Sequence, residues 1–271
     1  MQGRLLPTFE GRFQAFPASR WRDEFPRAQE AGLACIEWIY EEPHEAENPL
    51  GSEAGLDQIR EAVRKSGVEV RSVCADYYMI RPLVSPGGEP NEGTSRHLEW
   101  LIAQAAQLKV RYIVLPFVDS SSLKSEASVS AVATALQRAA QVAAKRDVEL
   151  HIECDLEPER FRALLDRIGA PSVKANYDIG NSAALGYDPA VELGAIGPYI
   201  GSVHVKDRRL HGGTVPLGAG DADFAASFAG LRRAGFSRWF ILQAARGAAG
   251  DEVHLARKNR SFVERYWREG T

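Results

Sequence analysis

Glu153, Asp178 and His204 each sit at the end of a short apolar segment: Glu149-Leu-His-Ile-Glu-Cys-Asp155, Lys174-Ala-Asn-Tyr-Asp-Ile-Gly-Asn181 and Gly201-Ser-Val-His-Val-Lys-Asp207. Two carboxylates and an imidazole are hard to intermediate donors. They suit Mn2+ foremost, with Mg2+, Co2+ and Zn2+ also compatible, and they need no thiolate. Read singly, each is as well explained as a polar strand end paired with a nearby Lys or Arg. The recurrence of all three at the same place in successive segments argues for one metal site, with Glu153 also placed to act as a base.

For these residues to converge, the segments must be neighbouring parallel strands. Apolar, β-rich runs occur at residues 3–6, 35–40, 68–75, 112–118, 148–154, 173–177, 200–205 and 239–243. Amphipathic stretches alternate with them at 21–31, 53–66, 91–108, 126–145, 158–168, 189–196, 224–234 and 252–267. This alternation implies a parallel sheet. Eight units without a linker or a composition break predict an α/β fold, a single (β/α)8 barrel over residues 1–271, with an open doubly wound sheet as the alternative. In a barrel the three candidate ligands fall at the carboxyl ends of the strands, the face on which such folds build sites. The segments 7–20, 41–52 and 76–90 are then long loops on that face, suited to pocket walls.

The chain has 271 residues, 45% of them hydrophobic, and a net charge of −3. It can bury a large core and has no basic surplus for a phosphate backbone, so nucleic acid is not expected and a small molecule is. Three cysteines point to reduced thiols. With no leader-like start and no apolar run of membrane length, a cytoplasmic protein is expected.

Four motifs carry a family resemblance: His151-Ile-Glu153, Tyr177-Asp178-Ile-Gly-Asn181, Ser202-Val-His204-Val-Lys-Asp207 and Val215-Pro-Leu-Gly-Ala-Gly220-Asp-Ala-Asp-Phe224. Ile36-Glu37 and Ser72-Val-Cys74 add local agreement in the N-terminal half. Together they resemble the xylose-isomerase-like TIM barrel superfamily of sugar isomerases and epimerases, and within it the L-ribulose-5-phosphate and L-xylulose-5-phosphate 3-epimerase branch. The resemblance implies a divalent metal held by Glu153, Asp178, His204 and a second Glu on the last strand. It also implies epimerisation by two glutamates working on opposite faces of the substrate. At the last position this chain has Gln243, a departure. An amide oxygen can still coordinate a cation as a weak fourth ligand, but it cannot carry a proton.

With two carboxylates instead of three, the charge around a divalent ion is near zero rather than about −1, which strengthens its pull on an oxyanion. The expected activity is therefore metal-dependent isomerisation or epimerisation of a sugar, keto-sugar or sugar phosphate. Single-base lyase or dehydratase chemistry, or a carbohydrate-binding protein with a reduced catalytic set, are the alternatives. Arg246, Lys206 and Arg208 are expected as substrate or phosphate anchors, Tyr77 as a substrate contact, and His151 as a substrate contact or a support for Glu153. Asp76, Tyr78 and Asp155 are further polar candidates near the same strand ends. The family's DNA-repair branch needs a histidine-rich zinc site, and six histidines with no basic surplus argue against it. The resemblance leaves homo-oligomerisation open.

Overall fold

A computed structural model describes residues 1–85 and 87–268. Seven parallel strands follow one another around a sheet: β1 (Cys35–Ile39), β2 (Glu69–Cys74), β3 (Tyr112–Phe117), β4 (Glu149–Cys154), β5 (Val173–Asp178), β6 (Ile200–Val205) and, after a short hairpin of β7 (Asp207–Arg208) and β8 (Thr214–Val215), β9 (Phe240–Leu242). The eighth place is taken by Gln2, whose N–H donates to Leu242 O at 3.1 Å and which bridges Glu37 in parallel, while Glu37 N–H donates to Met1 O at 2.9 Å. The ring is thereby closed, and the predicted barrel is the fold.

The strand expected at 3–6 does not form. Gly3 adopts φ +51, and a Cβ there would meet Ile39 Cδ1 at 2.4 Å. The chain turns out of the sheet after one bridge, so a single residue closes the ring. Gly3→Ala is expected to cost about 1–3 kcal/mol, read as a lower midpoint in denaturant unfolding, because it forces a Cβ into a left-handed conformation and into Ile39.

The helices begin and end where the sequence provides caps. In α2 (Glu53–Ser66) the Ser52 side chain accepts from Gly55 N–H, and the helix stops at Gly67 with φ +70. Asn91 and Ser125 cap α4 (Glu92–Gln107) and α5 (Glu126–Ala144) in the same manner. Four of the outer helices, α1 (Glu24–Glu30), α6 (Pro158–Ile168), α9 (Phe224–Arg233) and α10 (Glu252–Arg268), also follow the predicted stretches. So does α8 (Pro189–Ile196). Two short helices were not expected. The first is α3 (Tyr77–Ile80), inside the predicted loop 76–90, and the second is α7 (Ile179–Leu185), which starts directly after β5.

Parallel neighbours in register point to the same side, so the pairings separate two layers. Ile36, Trp38, Val73, Ile113, Leu115, Leu150, Ile152, Ala175, Tyr177 and Val203 face the helices and belong to the main core. The register Gln2↔Glu37↔Ser72↔Tyr112↔Glu149 and the pairs Asn176↔Ser202 and Asp178↔His204 place polar side chains inside the ring. A polar barrel interior is stable only if its groups find partners, and those partners build the site. Among the described residues, no helix is long and apolar enough to cross a membrane, and the three cysteines are free thiols.

Candidate metal centre and cleft

Glu153, Asp178 and His204 are brought together by register: β5 pairs β6 with Asp178 opposite His204, and β4 lies alongside β5. One donor atom from each lies within 4.8 Å of the others, and all three residues are buried. His204 is fixed from both sides. Its Nε2 lies 2.8 Å from Glu37 Oε1, and Glu37 Oε2 accepts from the Ser72 hydroxyl at 2.7 Å. Its Nδ1 faces Glu153 Oε2 at 3.2 Å and Asp178 Oδ2 at 3.8 Å. The Asn176 amide nitrogen lies 3.2 Å from Nδ1. Since that amide can only donate, Nδ1 accepts when the ring is neutral, and the proton of that form sits on Nε2, which faces Glu37 without hydrogen-bond geometry. This is the carboxylate–histidine arrangement that leaves one lone pair free for a metal.

Glu153 is held by two amides, Asn176 Nδ2 donating to Oε2 at 3.0 Å and Asn181 Nδ2 to Oε1 at 2.7 Å. Asp178 does two jobs. Its Oδ1 caps α7 by accepting from Asn181 N–H at 2.9 Å, and its Oδ2 lies 2.8 Å from Lys206 Nζ without hydrogen-bond geometry. Burial opposes ionisation of Asp178, but Lys206 and His204 more than offset it and hold the carboxyl well below its usual range. Burial likewise opposes charge on His204 and Glu37. Their mutual attraction, with Asp178 and Glu153, pushes the imidazole up and the Glu37 carboxyl down.

A divalent cation fits this donor set. Asp178 Oδ2 and Gln243 Oε1 are buried oxygens without a hydrogen-bond donor, and the negative charge that favours a proton on His204 favours a cation in its stead. Glu37→Gln is expected to weaken divalent-metal affinity by about 10–100-fold in a calorimetric titration, because it removes the carboxylate that orients His204.

Beside this cluster opens a cleft of ≈ 470 Å³, lined among others by Glu153, Gln243, Arg4, Gln14, Asp76, Asn181, Lys206 and Arg208. Its size suits a small molecule. Lys206 and Arg208 meet on Asn181 Oδ1, at 3.3 and 2.9 Å, and both line the cleft, Arg208 being held also by Gly212 O, to which Nε and Nη2 donate at 3.1 and 2.8 Å. Gln243 stands in the cleft wall, its amide donating to Gln2 Oε1 at 2.6 Å.

Three expected substrate contacts lie elsewhere. Arg246 donates to the carbonyls of Gly3, Leu6 and Phe13 at 2.6, 2.7 and 2.7 Å. Its fork ties down the N-terminal segment, and it does not line the cleft. Tyr77 turns away and stacks on His97 at 4.2 Å. His151 is fully buried one layer lower, stacked on Tyr112 at 4.2 Å. It reaches the site only through a chain, Nδ1 to Ser202 Oγ at 2.8 Å, Ser202 to Asn176 Oδ1 at 2.6 Å, and Asn176 to Glu153. Burial lowers its pKa to about 4 against the pull of Glu149, so the ring is neutral at pH 7.

Sequence reading missed Glu37 as the partner of His204, and Asn176 and Asn181 as the holders of Glu153. The available signal was a charged or amide residue inside an otherwise apolar strand, as in Cys35-Ile-Glu-Trp-Ile39.

The xylose isomerase-like TIM barrel family model matches residues 25–266. The chain belongs to that family. A 2-epi-5-epi-valiolone 7-phosphate 2-epimerase from an Actinoplanes species is 30% identical over 130 residues, which is 47% of this chain and about half, 48%, of that relative. The L-ribulose-5-phosphate 3-epimerase UlaE of Escherichia coli O157:H7 is 26% identical over 269 residues, covering 93% of this chain and 92% of its own. Among solved structures, a xylose isomerase-like TIM barrel protein from Mycobacterium smegmatis in complex with magnesium superposes with a TM-score of 0.71 at 14% identity, covering 93% of this chain and 90% of that one.

Proposed function

We propose that the protein is a divalent-metal-dependent sugar isomerase or epimerase acting on a ketose, keto-sugar or sugar phosphate by proton transfer next to the carbonyl. The observation that carries this reading is the convergence of Glu153, Asp178 and His204 on one point, with Glu153 alone of the three reaching the cleft wall. The two relatives named above are both epimerases of phosphorylated substrates, which agrees with it. Glu153, Asp178 and His204 would hold the ion, Mn2+ foremost, with Gln243 as a weak fourth ligand. When bound, the ion supplies positive charge to the carbonyl and neighbouring hydroxyl oxygens and so lowers the cost of the oxyanion that proton removal creates.

The chain's own residues do the rest. Glu153 takes the proton from the carbon beside the carbonyl. Asn176 and Asn181 hold its two oxygens so that the carboxylate cannot swing away. Lys206 and Arg208 hold a substrate hydroxyl or phosphate at one end of the cleft. A single domain over residues 1–271 would supply the whole site.

The test is to strip the protein with a chelator, restore Mn2+, and assay ketoses and ketose phosphates for epimer or aldose formation. Turnover that needs the restored ion is the expected result. Equal turnover in the stripped protein would sink the metal role, and metal-dependent sugar binding without turnover would mark a binding protein instead.

A further inference from the structure

Gln243 stands where the family resemblance calls for a second glutamate, and no amide can deliver a proton. A two-faced reaction therefore needs another acid in the cleft. Asp76 follows β2 directly, and the strand order puts β2 two places from β4, which carries Glu153, and four from β6, which carries His204, in a ring of eight counting Gln2. Asp76 thus stands a quarter-turn around the ring from Glu153 and across it from His204. It lines the same cleft as Glu153 and is partly open to it.

Its carboxyl is positioned by two donors, Gln14 Nε2 to Oδ2 at 2.6 Å and Cys74 Sγ to Oδ1 at 3.3 Å. Gln14 is itself fixed by Arg4, whose guanidinium donates to its Oε1 at 3.1 Å. The charged groups around Asp76 are Glu41 and Glu153, which disfavour a further negative charge, and Arg4 and Arg12, which favour one. Lys206 and Arg208 belong to the same cleft.

We infer that Asp76 is the second proton-transferring residue, serving the substrate face opposite Glu153. The inference rests on the proton-transfer reading above. Glu153 removes the proton, the C–H electron pair becomes part of the enediolate, and the same carbon then takes the Asp76 carboxyl proton on its other face. Glu153 releases its proton to solvent and Asp76 regains one from solvent, so the balance closes with no further reactant. Burial supports the acid role. It raises the Asp76 carboxyl to about 6, with Glu153 and Glu41 adding to the rise and Gln14 and Cys74 pulling against it.

The experiment uses the Mn2+-restored protein in D2O with D-fructose, L-ribulose and L-ribulose 5-phosphate as probes. It follows deuterium at the carbon next to the carbonyl by NMR and epimer formation by chromatography. For Asp76→Asn, exchange is expected to stay within about threefold of wild type while inversion falls about 10²–10⁴-fold. Asp76→Glu, which keeps the acid, is expected to recover part of the inversion, and it stands in if the amide variant does not fold. Glu153→Gln loses both readouts. If the Asp76 variants lose exchange and inversion in equal proportion, or lose neither while wild type does both, the inference is overturned and the general reading survives. Wild type that neither exchanges nor inverts any probe overturns the general reading, and the inference with it.

Discussion

Replacing Glu153 by glutamine is expected to lower turnover about 10²–10⁴-fold, the range for losing a positioned general base. The geometry makes this change more than the loss of a charge. Both carboxylate oxygens accept from amide nitrogens, Asn176 on one side and Asn181 on the other. A glutamine at 153 must set its own NH2 against one of those donors. One hydrogen bond is lost and the side chain rotates, so a stability loss of about 1–3 kcal/mol accompanies the loss of the base. Stopped assays at saturating substrate, with unfolding midpoints measured in parallel, separate the two effects. A variant that keeps more than a tenth of wild-type turnover would exclude Glu153 as the base.

The second large effect is expected at His204. His204→Ala removes the imidazole donor and leaves Glu37, equally buried, with only the Ser72 hydroxyl for company. Removing one partner of a buried pair costs about 3–5 kcal/mol when the other keeps its charge, and less where the carboxyl can take up a proton. Metal affinity is expected to fall more than 100-fold, beyond the effect of Glu37→Gln, because a ligand is lost and not only its orientation. Paired calorimetric metal titration and thermal melting check both. A variant that melts like wild type and still binds Mn2+ tightly would place the ion elsewhere.

The convergence of Glu153, Asp178 and His204 was legible in the sequence because strand-end position is a matter of counting: residues that close successive apolar runs end up on one rim of a parallel barrel whatever the loops do. Glu37 was harder. Its position inside a buried strand signals a partnered charge, but the partner lies on β6, far along the sequence, and only ring closure through Gln2 brings β1 near it. Helix α7 falls between the predicted run at 173–177 and the predicted stretch at 189–196, where the Asp178 side chain caps it through one oxygen. The misplaced anchor, Arg246, shows the limit of offset arguments. Three residues past the cleft residue Gln243, the chain is no longer strand, and its side chain finds backbone carbonyls of the N-terminal segment. The strand at 3–6 failed for a related reason, since hydropathy there reports burial under the loops and not membership of the sheet.

Gln243 separates this chain from the two-glutamate arrangement of the resemblance, yet Asp76 is among the other carboxyl residues that line the cleft with Glu153. Whether a C–H bond beside a carbonyl is broken at all is the claim on which both depend. The most direct measurement is deuterium incorporation from D2O into L-ribulose 5-phosphate by the Mn2+-restored wild-type protein, followed by NMR at the carbons flanking the carbonyl. Metal-dependent loss of one of those proton signals, abolished by Glu153→Gln, is the predicted result. Full retention of both signals in a protein that binds the metal and turns the sugar over would contradict the account.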